Sequence, residues 1–219
     1  ESDIWAARVA VRSTTAEVPP FRAAPRDRLK LEVEGEVQVA DRVRFFGATG
    51  YASDRSVVGD RVSGPDDLRL GVTATALKWS DLEVGMGWQV KVPSAADEAE
   101  LGTDETDVTL VSTVARQVGS LRLMVVGGVI VMGDPLRFSG QDDAAVVGVS
   151  GAVPVGPLNV SSSVGGTLST VRNPARLNAE LGAGYGCRWR TGVDGLIGLT
   201  AAAPDYGFRV WVGLGPRCD

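Results

Sequence analysis

The residues best placed to do chemistry in this chain are charges that recur at every second position. Arg8 and Arg12 alternate with Trp5, Ala7, Val9 and Val11, while Lys30, Glu32, Glu34 and Glu36 alternate with Leu29, Leu31, Val33 and Val37. Arg209 sits between Phe208 and Val210 in the same manner. A period of two puts successive side chains on opposite faces of a strand, so these charges share the polar face of three strands. If the first and last strands meet in a closed sheet, Arg209 reaches across the closure and all seven charges converge on one interior. Two readings of such a group are open. It is a charged constriction that selects solutes, or an ion-pair network that fills a narrow barrel.

Other chemistry is poorly supplied. Histidine is absent, which removes the commonest general base and the commonest metal ligand, so no catalytic residue and no enzyme activity are expected. The acidic stretch Asp97, Glu98, Glu100, Asp104, Glu105 and Asp107 lacks the alternating ligands and turn glycine of a calcium loop, and reads as a solvated loop. Gly148, Gly151 and Gly156 are spaced faintly like a phosphate loop, but no strand-to-helix context follows. No metal and no cofactor is implied. Cys187 and Cys218 are the two cysteines, enough for one disulfide or for two free thiols. By parity both face outward near one rim, with a strand between them and a separation of about 9–10 Å, beyond disulfide reach. A bond therefore requires Pro216 to release the tail so that Cys218 folds back to Cys187.

The elements that must position these residues are read from the stretch Ser80 to Val92. Leu82, Val84, Met86, Trp88, Val90 and Val92 fall on one face and Asp81, Glu83, Gly85, Gly87, Gln89 and Lys91 on the other. The stretch is longer than the usual five or six residues of a strand and suits a tilted strand that crosses a bilayer. The same alternation recurs along the chain. It predicts twelve strands, beginning near Trp5, Leu29, Val43, Leu68, Leu82, Val108, Leu121, Ala145, Leu158, Leu177, Val193 and Phe208. In this reading the tenth strand runs to Trp189 and Arg190 and turns at Thr191 and Gly192, and the eleventh extends to Ala203. The seventh, Leu121 to Met132, is apolar on both faces apart from Arg122, so its register is not fixed by sequence.

The connections alternate between long and tight up to the ninth strand, and those after the ninth and eleventh are short. Long ones follow the first, third, fifth and seventh strands, including a polar loop from Ser53 to Asp66, and tight turns fall at Asp41–Arg42, Gly119–Ser120 and Gly156–Pro157. That alternation, an even strand count and apolar outer faces specify a closed, up-and-down antiparallel transmembrane β-barrel of about twelve strands, one domain spanning residues 1–219. The Pro19 to Pro25 loop, with Phe21, either folds inward as a plug or covers the rim. Charge placement agrees, since the outward-facing sets carry only Lys78 and Arg116, both near the end of a descending strand where they can snorkel. Trp5, Phe45, Tyr51, Trp88, Tyr185, Trp189 and Phe208 are candidates for the aromatic girdles. No apolar run reaches the eighteen or so residues of a membrane helix. A formal charge of -5 in 219 residues argues against nucleic acid as a partner. Lipid, and other envelope proteins, are the expected partners, and the chain is expected to be a mature form from which a signal peptide has been removed.

Asp67-Leu-Arg-Leu-Gly71, Val84-Gly-Met-Gly-Trp-Gln-Val-Lys-Val-Pro93, Leu101-Gly-Thr-Asp-Glu-Thr-Asp107 and Val118-Gly-Ser-Leu-Arg-Leu123 occur in order. Through them residues 66–134 resemble a family of Gram-negative outer-membrane barrels labelled transporters, or proteins of the meta-pathway of phenol degradation. The chain departs from the family in ending Gly215-Pro-Arg-Cys-Asp219, without a terminal aromatic residue. The resemblance implies residence in the outer membrane and a narrow, porin-like passive channel for small, hydrophobic solutes. A non-conducting structural barrel in a cell-envelope assembly and a soluble β-barrel that binds a ligand are the alternatives the alternation leaves open.

Overall fold

In the computed structural model the described residues are 5–16, 26–55, 61–95, 106–133, 143–168, 174–186, 189–204 and 206–214, with the backbone alone at 5–16, 26–27 and 55. They form thirteen strands: β1 Trp5–Ala16, β2 Arg26–Ala40, β3 Val43–Arg55, β4 Arg61–Pro65, β5 Leu68–Trp79, β6 Leu82–Val92, β7 Asp107–Val118, β8 Leu121–Val131, β9 Ala144–Val155, β10 Leu158–Leu168, β11 Arg176–Gly186, β12 Trp189–Gly198 and β13 Tyr206–Leu214. Twelve of them close a ring. β1 pairs with both β13 and β2, β2 with β3, β3 with β5, and each strand from β5 to β13 with its sequence neighbour, all antiparallel. The result is an up-and-down transmembrane β-barrel. Closure leaves the twelve-stranded ring without an open edge, which is what a strand-built membrane protein requires.

A row of directly opposed residues shows how the strands lean. It leaves β1 at Thr15 and passes through Tyr206, Ile197, Ala179, Val164, Val149, Val125, Val114 and Val84 to Leu77 near the far end of β5. Ladder rows run across strands, so a row that drops from one rim to the other means strands inclined to the barrel axis, as closure demands. From Tyr206 onward this row is apolar and on the outside. Phe208, Val210 and Val212 of β13, Leu29, Leu31 and Val33 of β2, and Leu110 and Val114 of β7 are likewise exposed. Buried apolar groups inside are small for the most part, such as Ala52, Ala115 and Ala144. The hydrophobic residues are turned toward the bilayer and not toward a core.

Two-residue turns occupy one rim at Asp41–Arg42, Ser80–Asp81, Gly119–Ser120 and Gly156–Pro157. Ser80, Gly119 and Gly156 hold positive φ at the first turn position, 47°, 59° and 59°, the geometry whose twist matches the flanking strands. β1 begins and β13 ends on this rim.

Four details differ from expectation. The polar loop from Ser53 contains β4, which pairs with the overhanging Tyr51–Arg55 end of β3 outside the ring. β11 stops at Gly186 and β12 begins at Trp189, which lies opposite Leu214 instead of closing the preceding strand. β12 ends at Gly198, and Thr200 to Ala203 form a turn closed by Ala203 N–H on the Thr200 carbonyl, 2.9 Å. A bulge between Thr75 and Leu77 shifts the phase of β5, so Leu77 and Trp79 face outward and Lys78 faces inward, against the outward placement that strict alternation gives.

Candidate functional site

Most of the interior charges gather on one wall. At the long-loop end Arg28 bridges Asp54 Oδ1 at 3.6 Å and Asp66 Oδ1 at 3.4 Å. Lys30 Nζ lies 2.5 Å from Asp66 Oδ2 and also contacts Glu32 Oε2, which Arg69 grips from β5. Beside this chain Lys91 Nζ sits 2.5 Å from Asp107 and 4.0 Å from Asp67. Glu32, Asp66 and Asp67 are buried at 9%, 8% and 7% exposure. Carboxylates at such depth are tolerable only with cations or donors around them, and here three strands supply them.

Local structure fixes the two aspartates. Asp66 N–H donates to the Gly50 carbonyl at 2.9 Å. Asp67 Oδ1 accepts from the N–H groups of Ser94 and Ala95, each at 3.2 Å, while the Ser94 hydroxyl donates to the Asp66 carbonyl at 3.1 Å. Those bonds tie the end of β6 to the β4–β5 connection, so the acids are held by backbone and not only by charge.

Toward the tight-turn rim the pairs are smaller. Glu36 meets Arg44 at 3.2 Å. Glu83 takes Lys78 at 3.5 Å and Arg122 at 2.5 Å, the pairing that the β5 bulge permits. Arg116 stays outward and binds Asp81 of the turn at 2.8 Å. Its guanidinium hydrogen bond holds the Asp81 carboxyl below the usual aspartate range.

The opposite wall is different. β8, β9 and β10 carry one charge between them, Arg122. Their inward positions hold Met124, Val126 and Ile130 on β8, Val146 and Ser150 on β9, and Asn159, Ser161 and Ser163 on β10, a register that sequence could not settle for β8 and that the pairing of Val125 with Val149 fixes. Beyond them Arg209 pairs with Asp194 at 2.7 Å, and Trp211 lies beside Gly192 and Gly184.

Of the charges singled out from sequence, Lys30 and Glu32 are brought together, Glu36 is apart with Arg44, and Arg209, two strands from β2, pairs with Asp194 of β12. Glu34 is half-buried and in register with Arg8, as Arg12 is with both Lys30 and Arg209. Sequence reasoning missed Asp54, Asp66, Arg69, Lys91 and Asp194. Alternation marks them as inward, yet their partners depend on cross-strand register. Among the girdle candidates Phe45, Tyr51, Trp88, Tyr185, Trp189 and Phe208 are exposed, and Trp79, at 79%, joins them. The side chains of Trp5, Arg8 and Arg12, the residues Cys187 and Cys218, the Pro19 to Pro25 loop and the acidic stretch before Asp107 lie outside the described residues.

No protein-family model matches the chain, and no curated protein matches it in sequence. Solved structures do. An outer-membrane channel from Pseudomonas putida F1 is 15% identical, with a TM-score of 0.72 over 98% of this chain and 96% of that one. The KdgM porin, solved in complex with disordered oligogalacturonate, is 7% identical, with a TM-score of 0.64 over 96% and 99%. The translocator domain of the autotransporter NalP from Neisseria meningitidis is 15% identical, with a TM-score of 0.60 over 98% and 88%. The fold is that of the outer-membrane β-barrels.

Proposed function

We propose that the chain is a narrow passive channel in the outer membrane for small, uncharged solutes with some apolar surface. The observation that carries this reading is the division of the lumen. Interior charges on β2, β3 and β5 to β7 are drawn into mutual ion pairs, and the facing wall offers hydroxyls, glycines and a few apolar side chains along β8 to β10. A path along that wall asks little desolvation of a neutral solute and offers an ion no partner. The sequence resemblance to barrels labelled for phenol degradation adds support for hydrophobic solutes. The apolar outer surface supports lipid as the surrounding partner.

Planar-bilayer recording tests the reading. Folded protein gives discrete conductance steps, Ser163→Trp on the uncharged wall lowers them, and Glu34→Ala changes ion selectivity more than step size. Silence from folded protein that co-purifies with other envelope subunits would instead favour the structural barrel.

A further inference from the structure

Trp211 is the one large aromatic side chain that the register of β13 turns into the lumen, between the outward Val210 and Val212. Its neighbours in the same ladder row are Gly192 on β12, then Gly184 on β11, then Asn159 on β10. Both glycines leave room for the indole. A Cβ added at Gly192 would come 2.5 Å from Trp211 ring carbon Cζ2, and one added at Gly184 would come 3.1 Å from the same atom. The ring therefore lies flat against the wall across two strands, on a seat that only glycine provides.

A cavity of about 410 Å³ opens over this seat near the tight-turn mouth. Its lining includes Trp211, Arg190, Asp194, Asn159 and Ser161. That volume lies toward the small end of ligand sites, which run from about 300 to 1,000 Å³. Asp194 is oriented by Arg209, so its carboxylate is a fixed acceptor. An aromatic face edged by a carboxylate, an amide, a hydroxyl and a guanidinium matches a ring whose faces are C–H and whose rim is hydroxyl.

From this we infer that the cavity is a binding site for a single sugar ring, with the pyranose face stacked on Trp211 and its hydroxyls met by Asn159, Ser161 and Asp194. The site stands at the mouth of the channel proposed above and names a solute class for it, but its occupancy does not require conduction.

The test is tryptophan fluorescence of the full barrel in detergent, titrated with D-glucose. A saturable change is expected in the wild type. Trp211→Leu abolishes it, while Asn159→Ala weakens apparent affinity by about tenfold, the scale of one well-made polar or stacking contact. Gly192→Ala lifts the indole and weakens binding without removing any polar group. Heat-modifiable gel migration shows which variants are folded, and Asn159→Ala keeps the test decisive if Trp211→Leu is not. No saturable change in the wild type, or the same change in Trp211→Leu, overturns the site. Saturation by phenol but not by glucose overturns the sugar assignment. Glucose binding to a barrel that is silent in bilayers sinks the channel and leaves the site standing.

Discussion

Two walls of one barrel follow opposite rules. From β2 to β7 the inner face is crowded with long charged side chains, and the described ion pairs, apart from Lys30 with Glu32 inside β2, join strands or an adjoining turn. From β8 to β10 the inner face is built mostly from valine, glycine, serine and alanine, with Met124, Ile130 and Asn159 among them and one arginine at its foot. Both sides are continuous antiparallel ladders, with bulges between Gln38 and Ala40 and between Thr75 and Leu77 on the charged side, so the difference lies mainly in side chains. A wall of charges is held by partners and fails when one partner is lost. A wall of small residues is held by backbone hydrogen bonds and has little to lose. Paired charges and small uncharged side chains are thus divided between different walls of one closed sheet.

The sharpest way to break that contrast is to remove Glu32. Its carboxylate joins Lys30 on its own strand to Arg69 on β5, at 9% exposure. Glu32→Ala leaves Arg69 without that partner while Asp66 still holds Lys30. The expected loss is about 2–3 kcal/mol, somewhat under the ~3–5 kcal/mol of breaking a fully buried pair. Ser163→Ala on the other wall should stay within about 0.5 kcal/mol. Urea unfolding of the reconstituted barrel measures both, and equal losses would dissolve the distinction.

Much of this was legible in the residues themselves. Alternation located the twelve ring strands, and Gly119 and Gly156 marked tight turns because a positive φ costs glycine nothing. Three things were not legible, each for a physical reason. β4 is a short polar strand that buries no apolar face, so it carries no alternation signal. β8 is apolar on both faces, and its register comes from β7 and β9 rather than from its own pattern. The β5 bulge adds Ala76, a residue that sits as well in a strand as in a bulge, yet it reverses every side chain after it. The ion-pair partners followed from these, since Asp54 and Asp66 find Arg28, Asp66 finds Lys30 and Arg69 finds Glu32 only once β2, β3 and β5 are in register.

Lys78 reports on the bulge of β5. If it faced lipid, as unbroken alternation would have it, Lys78→Leu would stabilise the barrel by removing a charge from the apolar belt. Facing inward beside Glu83, which keeps Arg122 as a second partner, it should instead cost up to about 1 kcal/mol, the scale of a solvent-accessible pair. The sign of the change decides between the two placements.

The smallest expected effect belongs to the pair outside both walls, Asp81 with Arg116, at the turn between β5 and β6 and the foot of β7. Arg116 Nε donates to Asp81 Oδ2 at 2.8 Å, and this bond, ahead of the backbone and Coulomb contributions, lowers the carboxyl's affinity for a proton in the folded state. A folded value below the unfolded one means that the unfolded chain binds the proton first as pH falls. The pair's contribution is therefore complete above the ordinary aspartate value of about 4 and fades as pH drops through the lower folded value. Asp81→Asn should lie slightly below the wild type at neutral pH and converge with it in acid. Because the pair is exposed, the gap should also shrink in high salt. Unfolding curves of the two proteins across pH, at low and high ionic strength, measure it. A gap that persisted in acid would mean that Asp81 acts through the turn backbone rather than through Arg116.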